Sequence, residues 1–180
     1  DTLIKVDIPP SVPKIPICSF ENCEKLNEIT VDPYKIQITP KSFINCNSLT
    51  TLNISSSVNK LYQLSNSFFK MFKVIIIPPT VKSIKSDFFK GCSSLEQISI
   101  PSSVTQNKNL IFEGCSSLKQ ISFENPSSLT QIVNSAFKGC SSLTQISIPS
   151  SVTQIGDSSF EGCSSLNQIS IPPSVTKFGN

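Results

Sequence analysis

Apolar residues recur along the chain in the order L-x-x-I-x-I, with polar residues at most of the positions between them. Residues two apart in a strand lie on the same face, so each copy predicts a short strand with one buried side. The first apolar residue of the pattern returns every 23 residues, except for one interval of 25. The eight copies begin at Leu3, Leu26, Leu49, Phe72, Leu95, Leu118, Leu143 and Leu166.

Each predicted strand is followed by a second apolar pattern, V-x-x-I in most copies, and then by Phe-x-x-Cys. The second pattern predicts another short extended segment. In the later copies glycine precedes the cysteine, as at Gly139, where it permits a tight bend towards the next strand. Six cysteines share this position: Cys23, Cys46, Cys92, Cys115, Cys140 and Cys163.

A single copy cannot bury its own apolar side, whereas stacked copies share a continuous core. We therefore predict one domain over residues 1–180, irregular over 1–90 and regular over 91–180. Its expected fold is a right-handed solenoid of about eight coils of ~23 residues. Each coil has one parallel β-strand at L-x-x-I-x-I, a second short extended segment, and a short turn or helix at Phe-x-Gly-Cys.

Two coils depart from the pattern. Just before the fourth strand, Asn66 stands where phenylalanine is expected and Phe69 where cysteine is expected. This predicts either an exchange of volume between the two columns or a local shift that brings Phe68 inward. In the sixth coil, Glu124 and Asn125 are additional residues, which we expect to bulge just past the strand.

The strand pattern, followed by IPSSVTQIG and SFEGC, resembles the leucine-rich repeats of the BspA type, also called the treponemal type. The resemblance covers nearly the whole chain and implies a leucine-rich repeat solenoid. It also implies a surface protein of bacteria or parasitic protists, associated with adhesion to host or matrix proteins and with protein contacts. The implied location is the cell surface or outside the cell, and a cytoplasmic location stays open.

Composition bears on the classes of function. The net charge is +3 and the lysines are scattered, so no basic face for nucleic acid is expected. Apolar runs such as Val74–Ile77 are far shorter than the ~20 residues that span a bilayer, and no signal peptide is recognisable. Histidine is absent, which removes the usual Ser-His and Cys-His nucleophiles and Cys₂His₂ zinc sites. We therefore predict no catalytic residue, no cofactor and no metal site.

Three interpretations of the cysteines are open. The column cysteines are small buried apolar groups at the bend, neighbours in the column form disulfides, or Cys18 and Cys23 pair locally. Stacked side chains point in parallel, which disfavours disulfides along the column. We favour free, buried thiols, since Phe69 occupies the equivalent position just before the fourth strand.

Residues between the inward-facing isoleucines face outward and stack into two polar columns, which form either a solvated sheet face or a surface for a partner. Aromatic and sulfur-containing candidates for a partner surface lie in the irregular half. The candidate partner-binding residues are Tyr34, Tyr62, Phe68, Met71, Gln97, Ser99, Gln120, Ser122, Gln145, Ser147, Gln168 and Ser170.

The sequence thus favours a non-enzymatic module for protein–protein interaction or adhesion, with a host protein, a matrix protein or a second copy as partner. The alternative is a structural self-assembly unit. Neither end of the repeat shows a polar cap, so the alternative predicts homo-oligomers that associate through the terminal coils.

Overall fold

The computed structural model describes residues 2–62, 67–105 and 110–180. It is built from short strands joined by turns, with 3-10 helices at Pro40–Phe43 and Ser67–Met71. In chain order the strands are β1 (Lys5–Asp7), β2 (Glu28–Val31), β3 (Thr51–Ile54), β4 (Lys60–Leu61), β5 (Val74–Ile76), β6 (Ser83–Ile84), β7 (Gln97–Ile100), β8 (Gln120–Phe123), β9 (Gln131–Ile132), β10 (Gln145–Ser147), β11 (Gln154–Ile155), β12 (Gln168–Ser170) and β13 (Lys177–Phe178).

The L-x-x-I-x-I strands form what we call the principal sheet, and their parallel pairing confirms the solenoid prediction. Strands β1, β2, β3, β5, β7 and β8 pair in that order, and β10 pairs with β12 further along. Equivalent residues stand opposite one another, as where Ile29 pairs with Leu52 and Leu52 with Ile75. The strands define about seven turns, slightly fewer than the eight coils expected.

The shorter strands lie where the second extended segment was predicted. Strand β4 pairs with β6, and β9, β11 and β13 form a three-stranded parallel sheet. In the first two coils this segment is reduced to one isolated parallel bridge, between Lys14 and Gln37. The core lies between the principal sheet and these segments, where Ile29, Leu52 and Ile84 are almost completely buried.

Phenylalanine rings stack through the core from coil to coil. The ring centroids of Phe89 and Phe112 are 4.9 Å apart and those of Phe112 and Phe137 are 5.5 Å apart, with nearly parallel planes. In the irregular segment just before β5, Phe68 is fully buried and its ring lies 5.6 Å from that of Phe43. The predicted inward shift of Phe68 is therefore confirmed, while Asn66 lies outside the described residues.

The insertion in the sixth coil changes the principal sheet. Glu124 N still donates to Ile100 O at 2.9 Å, so β8 keeps its bonds to β7. Within the described residues no ladder pairs β8 with β10, although just before these strands Ser142 N donates to Ser116 O at 3.1 Å and Thr144 N to Lys119 O at 3.5 Å. The two additional residues thus interrupt the sheet as well as forming a bulge.

The bend before each cysteine requires a left-handed backbone. Gly91, Gly114, Gly139 and Gly162 have φ between 71° and 76°, and the equivalent Asn22 and Asn45 have φ of 62° and 61°. Asparagine is one of the few residues with a side chain that adopts this region readily. The same bend therefore forms with either residue.

Replacement of Gly139 tests this constraint. A Cβ added there would lie 3.8 Å from Gly114 Cα, so space is available and the cost arises from φ alone. We expect Gly139→Ala to lower the free energy of unfolding by about 1 kcal/mol. The matched variant Gly139→Asn should cost less than half as much. Urea denaturation measures both, and equal losses would contradict the explanation.

Candidate partner-binding surface

The outer face of the principal sheet carries the polar columns that the sequence predicted. All eight of their candidate residues are exposed: Gln97, Ser99, Gln120, Ser122, Gln145, Ser147, Gln168 and Ser170. Gln97 stands opposite Gln120, and Gln145 opposite Gln168. These residues form a regular polar surface that the gap between β8 and β10 divides into two parts.

An apolar patch interrupts this surface at β5. Val74 and Ile76 occupy the outward positions of the strand, and Ile76 remains 48% exposed. The sequence interpretation missed both residues because it left this coil out of the outward columns. The signal was present in the unbroken apolar run Val74–Ile77, where the alternation of apolar and polar residues fails.

A shallow groove of about 320 Å³ extends from this patch across β7 to β8. Val74 and Ile76 contribute its apolar side, and Gln97, Ser99 and Gln120 its polar side. Glu124, one of the two inserted residues, lies at its edge and accepts a hydrogen bond from Ser102 N at 3.2 Å. The insertion therefore adds a carboxylate to the polar edge of the groove, with β7 between it and the apolar patch.

Charged residues also precede the strands that carry the groove. Glu96 lies between Lys73 and Lys119, with carboxylate-to-ammonium distances of 3.0 and 2.6 Å. The hydrogen bonds from Lys119 and then Lys73 hold the pKa of Glu96 below its usual value. One end of the strands thus carries two cations around one anion, and Glu124 lies beyond the other end.

Tyr34 and Tyr62, 28 residues apart in sequence, meet at the edge of the solenoid. Their ring centroids are 5.5 Å apart in an edge-to-face arrangement. The Tyr34 hydroxyl accepts a hydrogen bond from Tyr62 N and donates one to Tyr62 O at 3.2 Å. Burial, the largest cause, raises the pKa of Tyr34 to about 12. The pair joins neighbouring coils and keeps exposed ring surface, with Tyr62 53% exposed.

The remaining two candidates from the irregular half lie elsewhere. Phe68 is fully buried within the ring stack, so it offers no surface to a partner. Met71 is partly buried against the core. The structure therefore brings together the polar columns, and separately the two tyrosines, but neither Phe68 nor Met71 joins them.

The column cysteines line the core beside the phenylalanine stack. Cys46, Cys92, Cys115 and Cys140 are buried, and all seven thiols are free. Four thiols donate to the phenylalanine carbonyl of the preceding coil at 2.9–3.2 Å: Cys46 to Phe20, Cys115 to Phe89, Cys140 to Phe112 and Cys163 to Phe137. The buried-thiol interpretation is thereby confirmed for Cys46, Cys92, Cys115 and Cys140, whereas Cys163 is only partly buried.

Burial also determines the chemistry of these thiols. It raises the pKa of Cys92 to about 11 and that of Cys140 to about 12, and it raises the pKa of Cys115 further still. A thiol acts as a nucleophile or metal ligand mainly as its thiolate. These residues therefore serve as packing groups. Among the described residues, no cluster of three or more potential metal ligands occurs.

The parallel strands, the 23-residue period and the stacked phenylalanines define a leucine-rich repeat protein. The BspA type leucine rich repeat region matches residues 2–119 and 65–180, with six copies, and the chain belongs to this family. Repeats of this class generally mediate protein–protein interaction. No curated protein matches the chain. Within the described residues, no helix has the length and apolar character needed to cross a membrane.

Solved structures of bacterial repeat proteins share the fold. A leucine-rich repeat protein from Bacteroides ovatus is 27% identical with a TM-score of 0.54, over 96% of this chain and 50% of that one. A leucine-rich repeat protein from Eubacterium ventriosum is 21% identical with a TM-score of 0.59, over 98% of this chain and 57% of that one. A leucine rich cell surface protein from Faecalibacterium prausnitzii is 20% identical with a TM-score of 0.33, over 93% of this chain and 79% of that one. The chain thus spans only about half the length of the first two.

Thiol modification tests the assignment of the cysteines. Cys18 is exposed, so we expect it to react rapidly with an aromatic disulfide reagent at mildly alkaline pH. The half-buried Cys23 and Cys163 should react more slowly, and the four buried thiols only on unfolding. Cys18→Ser should remove the rapid phase, whereas Cys140→Ala should leave it intact. Rapid reaction of four or more thiols in the native protein would contradict the assignment.

Proposed function

We propose that this protein is a non-enzymatic protein-binding module that acts at the cell surface. Its contact surface is the outer face of the principal sheet, centred on Val74 and Ile76. The family generally mediates protein–protein interaction, which supports the class of function. Adhesion to a host or matrix protein is the role that we assign to the module.

The observation that carries this proposal is the contrast between β5 and the other strands of the principal sheet. Every other outward position on these strands is polar or charged, from Lys5 and Asp7 on β1 to Gln168 and Ser170 on β12. Only β5 presents two aliphatic side chains there. Interface cores are apolar with a polar rim, and the exposed Ile76 among glutamine and serine side chains has that arrangement.

Charge at the groove narrows the chemistry of the partner. A segment that places an apolar side chain on Val74 and Ile76 would meet Glu124 at the border of the groove. A lysine or arginine next to that apolar side chain would pair with the carboxylate. We therefore assign as partner a protein segment that carries an apolar residue and, near it, a basic one.

Self-assembly through the terminal coils is the second candidate. The last coil exposes the side chains of its inward pattern: Ile169 is 38% exposed, Ile171 42% and Phe178 63%. A second copy stacked in register would cover them. Any further repeat in the same chain would cover them equally well. We therefore assign the partner surface to the sheet. The binding experiment distinguishes it from self-association through the terminal coils.

Conversion of the apolar patch to the sequence of the next coil tests the proposal. The double variant Val74→Gln, Ile76→Ser carries the residues found at Gln97 and Ser99, so the fold should persist. Burial of two aliphatic side chains contributes roughly 1.5 kcal/mol or more each, and 1.4 kcal/mol is tenfold in affinity. We expect at least about tenfold weaker binding to immobilised extracellular-matrix proteins, measured by biolayer interferometry.

The matched control is Thr51→Gln, Asn53→Ser, which places the same polar residues on the neighbouring strand and should weaken binding far less, because it removes no aliphatic side chain. Unchanged affinity in the β5 variant would contradict the proposal. So would binding only between copies of the chain itself, which would favour self-assembly.

A further inference from the structure

The gap between β8 and β10 forms a second cavity on the same face of the solenoid. Its volume is about 460 Å³, which lies within the usual range of small-molecule sites. Side chains from both strands and the inserted residue Asn125 line it. The cavity therefore exists where the sheet is interrupted, next to the insertion.

The width of the gap restricts what can occupy it. Cα atoms of β8 and β10 approach within 8 Å of each other, yet no ladder pairs the two strands. A polypeptide strand inserted between them would require twice the inter-strand spacing, or about 9.6 Å. The gap is thus too narrow for an additional strand. A ligand of the cavity must therefore rest on the outer face of the two strands, where Gln120, Ser122 and Gln145 are exposed.

The lining of the cavity indicates the chemistry of that ligand. Its exposed polar groups are amides and hydroxyls, from Gln120, Ser122, Asn125, Gln145 and Ser147, and no charged residue lines it. Each amide can both donate and accept hydrogen bonds, and so can each hydroxyl. Such a set matches a ligand whose own groups donate and accept in turn, and it offers no counter-charge to an ion.

The inner part of the cavity is apolar. Ile121, Ile146 and Ile148 lie there, together with the partly buried ring of Phe123. A sugar ring combines hydroxyl groups around its edge with C–H groups on its faces. Amides and hydroxyls at the mouth and an apolar floor therefore complement both parts of a sugar.

We propose that the cleft between β8 and β10 binds a neutral saccharide, such as one hexose unit of a glycan. The site does not depend on the apolar patch at β5, although the two surfaces share Gln120 and Ser122. A glycosylated protein would contact both surfaces at once, through a peptide segment at β5 and a sugar at the cleft.

Titration with simple sugars tests the proposal. The probes are the methyl glycosides of glucose, galactose, mannose and N-acetylglucosamine, each up to about 10 mM, in the range of weak single-site affinities. We expect at least one of them to shift the NMR methyl signals of Ile146 and Ile148. Glucuronate, which carries a charge, should bind no more tightly than its neutral counterpart.

Two variants locate the binding. Gln145→Ala, Ser147→Ala removes polar groups from the cleft and should weaken binding at least about tenfold, because two or more hydrogen bonds are lost. The matched control Gln168→Ala, Ser170→Ala changes the same two columns one coil later, outside the cleft. It should bind as the unaltered protein does.

A deletion should close the cleft while every side chain of β8 and β10 stays unchanged. Removal of Glu124 and Asn125 restores the 23-residue spacing, so we expect β8 to pair with β10 and sugar binding to be lost. A well-dispersed NMR spectrum of this variant would show that it is folded. The proposal is overturned if no neutral glycoside shifts the signals, if the deletion variant binds as well as the unaltered protein, or if the control variant loses affinity equally.

Discussion

The parallel register between successive coils is the constraint on which the structure depends. Each coil stacks like residues on like, so Leu52 lies between Ile29 and Ile75 and Phe112 lies between Phe89 and Phe137. The same register brings a cysteine thiol to the phenylalanine carbonyl of the preceding coil, as with Cys115 and Phe89. The side chain that suits one position is therefore set by the coils above and below it.

This dependence explains how much of the fold was predictable. A period of 23 residues and alternation within each strand place the strands and their buried faces, and glycine before cysteine places the later bends, whereas the bends at Asn22 and Asn45 were not predicted. The same logic explains Phe68, which enters the ring stack because its coil lacks phenylalanine at the usual position. The contact between Tyr34 and Tyr62 was not predictable, since their separation of 28 residues follows no repeat.

The candidate site was less predictable than the fold. Outward positions follow from inward ones, so Val74 and Ile76 were implied by the burial of Ile75 and Ile77. The opening between β8 and β10 was not implied, because the pattern resumes in phase after the insertion at Leu129 and Ile132. Whether two strands pair across an insertion depends on the path by which the chain returns, and local alternation carries no information about it.

Surface specificity in a repeat protein arises where the repeat fails, since identical coils present identical surfaces. The ion pairs between coils, such as Lys138 with Glu161, are exposed and contribute little to stability or discrimination. The repeat pattern fails at two places on one face of the principal sheet. These are the aliphatic residues on β5 and the insertion after β8, and β7 lies between the two strands. The insertion also borders both cavities on that face, through Glu124 and Asn125. The central coils therefore carry the features that distinguish this surface from a uniform polar sheet.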